Sequence, residues 1–246
     1  MKIVHSRQYI VDRKVLAFVT FTFILFTIYY LLSTSALAQS VDLLWQADTY
    51  TSPFYKGRAL WSNQSRITLT AVPHGLGSSA NLIYKWTRNG TVLGNISGRG
   101  QNTIAFTDSV LSRPQTFKVD ILSNDEIVLT SMSSTFIPTS PNLVIYENNP
   151  LYGFMFHREM SGTRQLEERE ITFTAFPFFF SASNRMDDAL GYEWRTNTGG
   201  VETKNSVTYR TPEDAAGVSR VSIRAFNQDK IMQDTNKSFL VQFGNQ

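Results

Sequence analysis

The chain has 246 residues, no cysteine, and a near balance of 23 basic against 20 acidic side chains. Four of the bases and one acid precede Gln39, which leaves 19 of each after it and no net charge on the long C-terminal part. That excludes disulfide stapling and paired-cysteine metal sites. The electrostatic footprint of a nucleic-acid binder is also missing, so no nucleic acid is expected among the partners.

The N-terminus reads as an export signal. Lys2, Arg7, Arg13 and Lys14 form a basic flank, and the uncharged run VLAFVTFTFILFTIYYLL extends from Val15 to Leu32. Ala36-Leu37-Ala38 then supplies a small-residue cleavage site. Residues 1–38 are therefore expected to be a signal peptide cut after Ala38, or a signal anchor with a transmembrane segment over about 15–32. Either form leaves the basic flank in the cytoplasm and everything after Gln39 outside. The protein is expected to be exported: anchored to the cell membrane with its C-terminal domains extracytoplasmic, or secreted if the leader is cleaved. No cysteine follows the apolar run, so a lipid-anchored leader is excluded. Export without disulfides points to a bacterial or archaeal source.

The remaining chain is long enough for two domains of about a hundred residues each. Ile137-Pro138-Thr139-Ser140-Pro141 is a proline-bracketed spacer. It divides residues 39–137 from residues 142–246, with 138–141 as the linker. The two halves repeat each other in order. RITLTAVP, Arg66 to Pro73, returns as EITFTAFP, Glu170 to Pro177. Leu82-Ile-Tyr84-Lys-Trp86 returns as Leu190-Gly-Tyr192-Glu-Trp194, and Asn102-Thr-Ile104-Ala-Phe106 as Asn205-Ser-Val207-Thr-Tyr209. Phe117-Lys-Val119-Asp-Ile121 returns as Val221-Ser-Ile223-Arg-Ala225. Even the openings match, Pro53-Phe54-Tyr55-Lys-Gly57 against Pro150-Leu151-Tyr152-Gly153. Matches in one order at one spacing mark an internal duplication.

Each repeated block alternates with period two, as half-buried strands do. Asn89-Gly90 is a dipeptide suited to a type I′ hairpin, and Gly199-Gly200 takes its place in the second half. No amphipathic helical pattern follows the leader. The reading is an all-β fold of two tandem β-sandwiches after an N-terminal hydrophobic helix. Tyr84, Trp86, Tyr192 and Trp194 are its expected core.

Trp86 and Trp194 resemble the buried tryptophan on the third strand of immunoglobulin-like sandwiches. The W-x-x-N-G-x-V of Trp86 to Val92 resembles the hairpin that follows it there. Phe106 to Leu122 is similar to the closing strands of PKD-type and bacterial Ig-like repeats. The chain lacks the cysteine pair of antibody domains and the G-D-G that commonly follows the tryptophan in PKD repeats. Its openings, Asp42 to Tyr50 and Pro53 to Gly57, also resemble those of two-repeat exported proteins of candidate-phylum bacteria. That resemblance implies a membrane-anchored surface protein and brings no activity with it.

The residues single out no chemistry. His5 lies in the leader, and His74 and His157 sit one in each repeat without ligand-spaced partners. The Gly94–Gly100 loop opens no helix, so it lacks the dipole of a phosphate loop. Asp187-Asp188 and Asn124-Asp125-Glu126 have the carboxylates calcium takes, but acids in turns are more often solvated. No catalytic residue, metal or cofactor is assigned. Asn63, Asn89, Asn95 and Asn236 stand in N-x-S/T, which means nothing in a bacterial chain.

Aromatic residues offer more. Phe178, Phe179 and Phe180 follow the second-repeat strand with phenylalanines on both faces, so part of the run needs a second partner. Phe54, Tyr55 and Trp61, with Tyr50, cluster near the start of the first repeat. Packing against the linker, the other repeat or a loop is the plainer reading. A contact surface for another protein or a glycan is the sharper one. The expectation is a non-catalytic surface protein, a structural, adhesive or docking element partnered by the membrane and by another envelope or surface protein. A glycan-binding module is the alternative, and a hydrolase has the least behind it.

Overall fold

The computed structural model describes residues 15–27, 39–166, 169–211, 213 and 215–244. The chain divides into two compact units, Met1–Ala38 and Gln39–Gln246. In the first, residues 15–27 form a helix, exposed along its length. Its threonine hydroxyls turn back on the preceding turn: Thr20 donates to the Leu16 carbonyl at 3.0 Å and Thr22 to that of Phe18 at 2.6 Å. At 1.5 Å per residue the described part runs about 20 Å. Among the described residues no helix is long and apolar enough to cross a membrane. The expected transmembrane helix over 15–32 is corrected to that extent. Its remainder, residues 28–32, the basic flank and the Ala38 site lie outside the described residues.

The second unit is built of strands. The first repeat contains, in chain order, β1 (Ser40–Ala47), β2 (Arg66–His74), β3 (Ile83–Arg88), β4 (Thr91–Val92), β5 (Gly98–Arg99), β6 (Thr103–Thr107), β7 (Gln115–Leu122) and β8 (Val128–Phe136). They form two facing sheets, β1-β2-β6 and β4-β3-β7-β8, with β5 also on β3. Asn89 and Gly90 both take positive φ, 49° and 83°, in the turn that reverses β3 into β4.

In the second repeat the strands are β9 (Asn142–Asn149), β10 (Gly153–Glu159), β11 (Thr163–Gln165), β12 (Glu170–Phe178), β13 (Leu190–Arg195), β14 (Val201–Glu202), β15 (Ser206–Arg210), β16 (Gly217–Asn227) and β17 (Asp234–Phe243). The sheets are β10-β9-β12-β15 and β11-β17-β16-β13-β14. Strand order and register repeat the first sandwich. Ile67 faces Phe106 as Ile171 faces Tyr209, and Trp86 faces Val119 as Trp194 faces Ile223. The protein is all-β, two Ig-like sandwiches in tandem.

The repeated eight-residue stretch explains its own proline. In β2 the pairing with β6 ends at Thr70, and in β12 the pairing with β15 ends at Thr174. Pro73 and Pro177 come later, where the strand has only β1 or β9 beside it. A proline that donates nothing is tolerated there and would interrupt the ladder a few residues earlier.

Each sandwich has its own core. Ile67, Leu69, Tyr84, Trp86, Phe117 and Ile121 are central to one, and Phe173, Phe180, Trp194, Ile223 and Val221 to the other. Trp86 and Trp194 are fully buried. Their indole N–H groups donate to the carbonyls of Gln101 at 2.8 Å and Lys204 at 2.9 Å, so neither carries an unmet polar group inside. Tyr84 and Tyr192 are buried beside them, with hydroxyls donating to the carbonyls of Ser79 and Arg185.

Truncating either indole empties a close-packed site and strands a carbonyl. Trp86→Ala and Trp194→Ala are each expected to lose about 3–5 kcal/mol in equilibrium denaturation. A loss below about 1 kcal/mol would mean that its neighbours collapse into the space.

Candidate interaction surface and inter-repeat junction

Segment 48–65, between β1 and β2, reaches from the first sandwich onto the second and returns. Tyr50 exchanges backbone hydrogen bonds with the 179–180 stretch: its N–H donates to the Phe180 carbonyl at 2.7 Å, and the Phe179 N–H to the Tyr50 carbonyl at 2.8 Å. Phe179 holds φ at +65° to do so, a conformation non-glycine residues rarely adopt. Ser62 bridges Thr139, whose N–H donates to the Trp61 carbonyl at 2.7 Å, so residues 138–141 are tied to the same segment.

A polar knot completes the junction. Gln233, fully buried between β16 and β17, directs its amide at the first repeat. Nε2 contacts the Asn63 carbonyl at 2.7 Å, Ser181 Oγ at 2.8 Å and Ser62 Oγ at 3.3 Å. Oε1 accepts from the Ser181 N–H at 2.7 Å. The Met232 N–H beside it donates to Gln64 Oε1 at 2.8 Å. Ser62 and Ser65, also buried, close on each other, with Ser65 Oγ donating to the Ser62 carbonyl at 2.7 Å.

The aromatic residues lie around this knot. Phe176, Phe178, Phe179 and Val144 form a third buried cluster on the outer face of β12, covered by Tyr146, Phe154, Phe156 and Leu60. The ring of Tyr55 meets Phe178 edge-on at 5.4 Å, and that of Phe54 lies 4.6 Å from Phe156. Phe180 turns the other way, into the core of the second sandwich. Trp61 is buried in the base of the first, 5.8 Å from Phe106. Phe178, Phe179, Phe180 and Trp61 are therefore corrected as an interaction surface. They are internal: β12 is buried on both faces here, and Trp61 lies in the core of the first sandwich. Phe54 and Tyr55 stay at the surface, 68% and 38% exposed.

Three further large apolar or aromatic side chains of the second repeat are exposed: Leu151, Tyr152 and Met186, at 82%, 76% and 72%. The P-L-Y-G match with P-F-Y-K-G was the signal for the first two, since both openings expose apolar tips. Gln233 gave no signal at all.

Arg185 separates two open clefts of about 590 and 540 Å³ beside the junction. Its guanidinium lies 5.1 Å from the Phe154 ring and 5.2 Å from that of Phe176, and its Nε donates to Asn205 Oδ1 at 3.2 Å. Burial raises the Tyr50 phenol pKa, and the Arg185 hydrogen bond and charge offset part of that rise.

The loop acids serve the backbone. Asp187 Oδ2 accepts from the Ser183 hydroxyl and N–H at 2.7 and 2.8 Å, and Oδ1 from the Ala189 N–H at 3.0 Å. Those bonds hold its carboxyl below the ordinary 3.8. His74 Nε2 lies 3.0 Å from Asp42 Oδ2, and His157 is exposed on β10. Among the described residues no group of three or more His, Asp or Glu is placed to hold a metal ion.

No family model and no curated protein matches the chain. Among solved structures it is similar to the fibronectin(III)-like modules of Clostridium thermocellum CbhA. Identity is 14%, coverage is 81% of this chain and 94% of that one, and the TM-score is 0.26. An extracellular domain from B. thetaiotaomicron matches at 11% identity over 79% of this chain and 27% of that one, TM-score 0.31. A cytokine receptor complex matches at 11% over 80% and 94%, TM-score 0.24. At these scores the fold assignment rests on the strand order above. It defines a modular protein of tandem Ig-like sandwiches.

Two tests follow. Gln233→Ala strands several buried partners, each costing about 1–3 kcal/mol. It is expected to lower the melting temperature and separate the unfolding of the two sandwiches into two calorimetric transitions. One unchanged transition would place the coupling elsewhere. For Asp187, a depressed folded pKa means that its stabilisation of the loop is complete above the unfolded value and fades as pH falls through the folded one. The Ser183 and Ala189 amide resonances should titrate with a midpoint below 3.8 and ignore added calcium. Calcium-induced shifts there would restore a cation site.

Proposed function

We propose that this chain is an exported, membrane-associated surface protein whose sandwiches form a non-catalytic structural, adhesive or docking element of an envelope or surface-appendage assembly. The observation that carries the reading is the junction. A spacer that presents a surface must fix its modules relative to each other, and a buried glutamine joined to both repeats is a device for that. The helix over 15–27 supports the membrane part: its exposed faces are apolar, and its threonine hydroxyls bond back to the helix. Assignment to PKD-type or bacterial Ig-like repeats, and to exported proteins of candidate-phylum bacteria, goes with this proposal.

A glycan-binding reading has one observation of its own. Tyr50 lines one Arg185 cleft, and Phe154 and Tyr192 line the other, so aromatic rings border polar clefts. Stacking rings beside hydrogen-bonding groups suit a sugar.

Affinity capture from native membranes tests the two readings together with a glycan array. The docking reading expects one envelope protein to be captured by the wild type and lost with Phe54→Ser combined with Tyr152→Ser, and the array to stay blank. Array binding abolished by the same pair would move the assignment to the glycan reading.

A further inference from the structure

The two sandwiches close their lower ends differently. In the first, the end where β2 starts and β6 stops is walled by Ile67, Phe106, Phe117 and Phe136. Trp61 fills it from the segment before β2, edge-on to Phe106. Arg88 covers it, with its guanidinium 4.6 Å from the Phe106 ring and 5.9 Å from that of Phe117. This is also the end that meets the other sandwich, since the next residues, Ser62, Asn63 and Gln64, bond to Gln233 and Met232.

Register locates the same end of the second sandwich. Phe106 corresponds to Tyr209 through Ile67 and Ile171. Phe117 corresponds to Val221 through Trp86 and Trp194, which face the residues two further along. Phe136 corresponds to Val241, since each faces the residue two before those positions, Gln115 or Ser219. Two phenylalanines have become valines, and Thr196 stands where Arg88 lay. What remains is a largely apolar cavity of about 220 Å³, walled by Leu166, Ile171, Tyr209, Val221, Val241 and Phe243, with Arg210 also lining it. Burial pushes the Tyr209 phenol up to about 12, so that wall stays uncharged at any physiological pH.

The volume suits one side chain. Small-molecule sites are commonly about 300–1,000 Å³, whereas an apolar cavity of about 150 Å³ accepts a benzene ring. We infer that this end of the second sandwich is a socket for an aromatic side chain, an indole above all, presented by a partner protein as Trp61 is presented to the first. The inference rests on the docking reading and adds a second docking face to the surface that carries Phe54 and Tyr152. A small probe tests the socket by itself, so failure here leaves the Phe54–Tyr152 surface to its own test.

Indole is added to the full chain carrying labelled Ile, Leu and Val methyls. Saturable shifts are expected at Ile171, Val221 and Val241, with Ile67 and Val119 unmoved. Val221→Phe restores the first sandwich's wall and should weaken indole binding at least about tenfold while leaving the melting temperature equal or higher. Thr196→Arg, which restores the cover, should do the same and serves if the phenylalanine disturbs folding. Absence of shifts at millimolar indole, shifts spread over both cores, or binding that survives both substitutions would each overturn the socket.

Discussion

Everything beyond the individual sandwich depends on Gln233. A primary amide taken out of water loses several kcal/mol of hydration unless its donors and acceptor are met. This one is met from both sides: Asn63 and Ser62 take Nε2 across the junction, while the Ser181 N–H and hydroxyl hold the amide within its own repeat. Moving the sandwiches apart would leave the groups that meet across it buried and unpaired, or would have to flood the site. The aromatic cluster beside it adds area, but apolar contact tolerates sliding. Hydrogen bonds of fixed length do not, so the glutamine and the Tyr50 backbone bonds together set the register in which Tyr55 meets Phe178.

That constraint accounts for how the copies diverged. Strand β2 is alternately buried and open, whereas β12 is buried almost throughout from Phe173 onward. The same sequence pattern is one-faced in one repeat and two-faced in the other, because β10 and segment 48–65 cover the outer face of β12. A polar outer face would have left buried unpaired groups there, and phenylalanines at 176 and 178 avoid it. The second repeat also has β11 alongside β17, pairing Thr163 to Gln165 with Leu240 to Gln242. Arg164 of that strand meets Glu147 of the opposite sheet at 3.0 Å, which ties the two layers at their margin.

The sandwich architecture was legible because it is written twice. Period-two alternation, Asn89-Gly90 and paired tryptophans at one spacing are local signals, and duplication turned each into a check on the other. Burial of the Phe178–Phe180 run was half legible. Phenylalanines on both faces require a second partner, but the sequence does not say whether that partner is solvent-side protein or the chain itself. Trp61 was misplaced for the same reason, since an aromatic in a long loop looks alike whether it plugs a core or faces water. Gln233 was invisible. It lies in a polar turn, and only the fold brings position 62 to position 233.

The copies thus record which contacts belong to the sandwich and which belong to its neighbours. Whatever repeats, such as the indole N–H bonds to the carbonyls of Gln101 and Lys204, is required by the fold itself. Whatever differs has been shaped by what sits outside. Trp61, Arg88 and Phe117 seal an end that abuts another sandwich, where an unfilled cavity would cost packing energy in proportion to its volume. Val221, Thr196 and Val241 leave a cavity at the same end, with Leu166 and Phe243 among its walls. A gap of that kind persists at a cost to stability, since larger side chains at 221 and 241 are already compatible with this fold, as positions 117 and 136 demonstrate. The difference between the ends follows a difference in their neighbours: one is sealed against the other sandwich, and the other keeps a cavity among the described residues that a side chain from outside can enter.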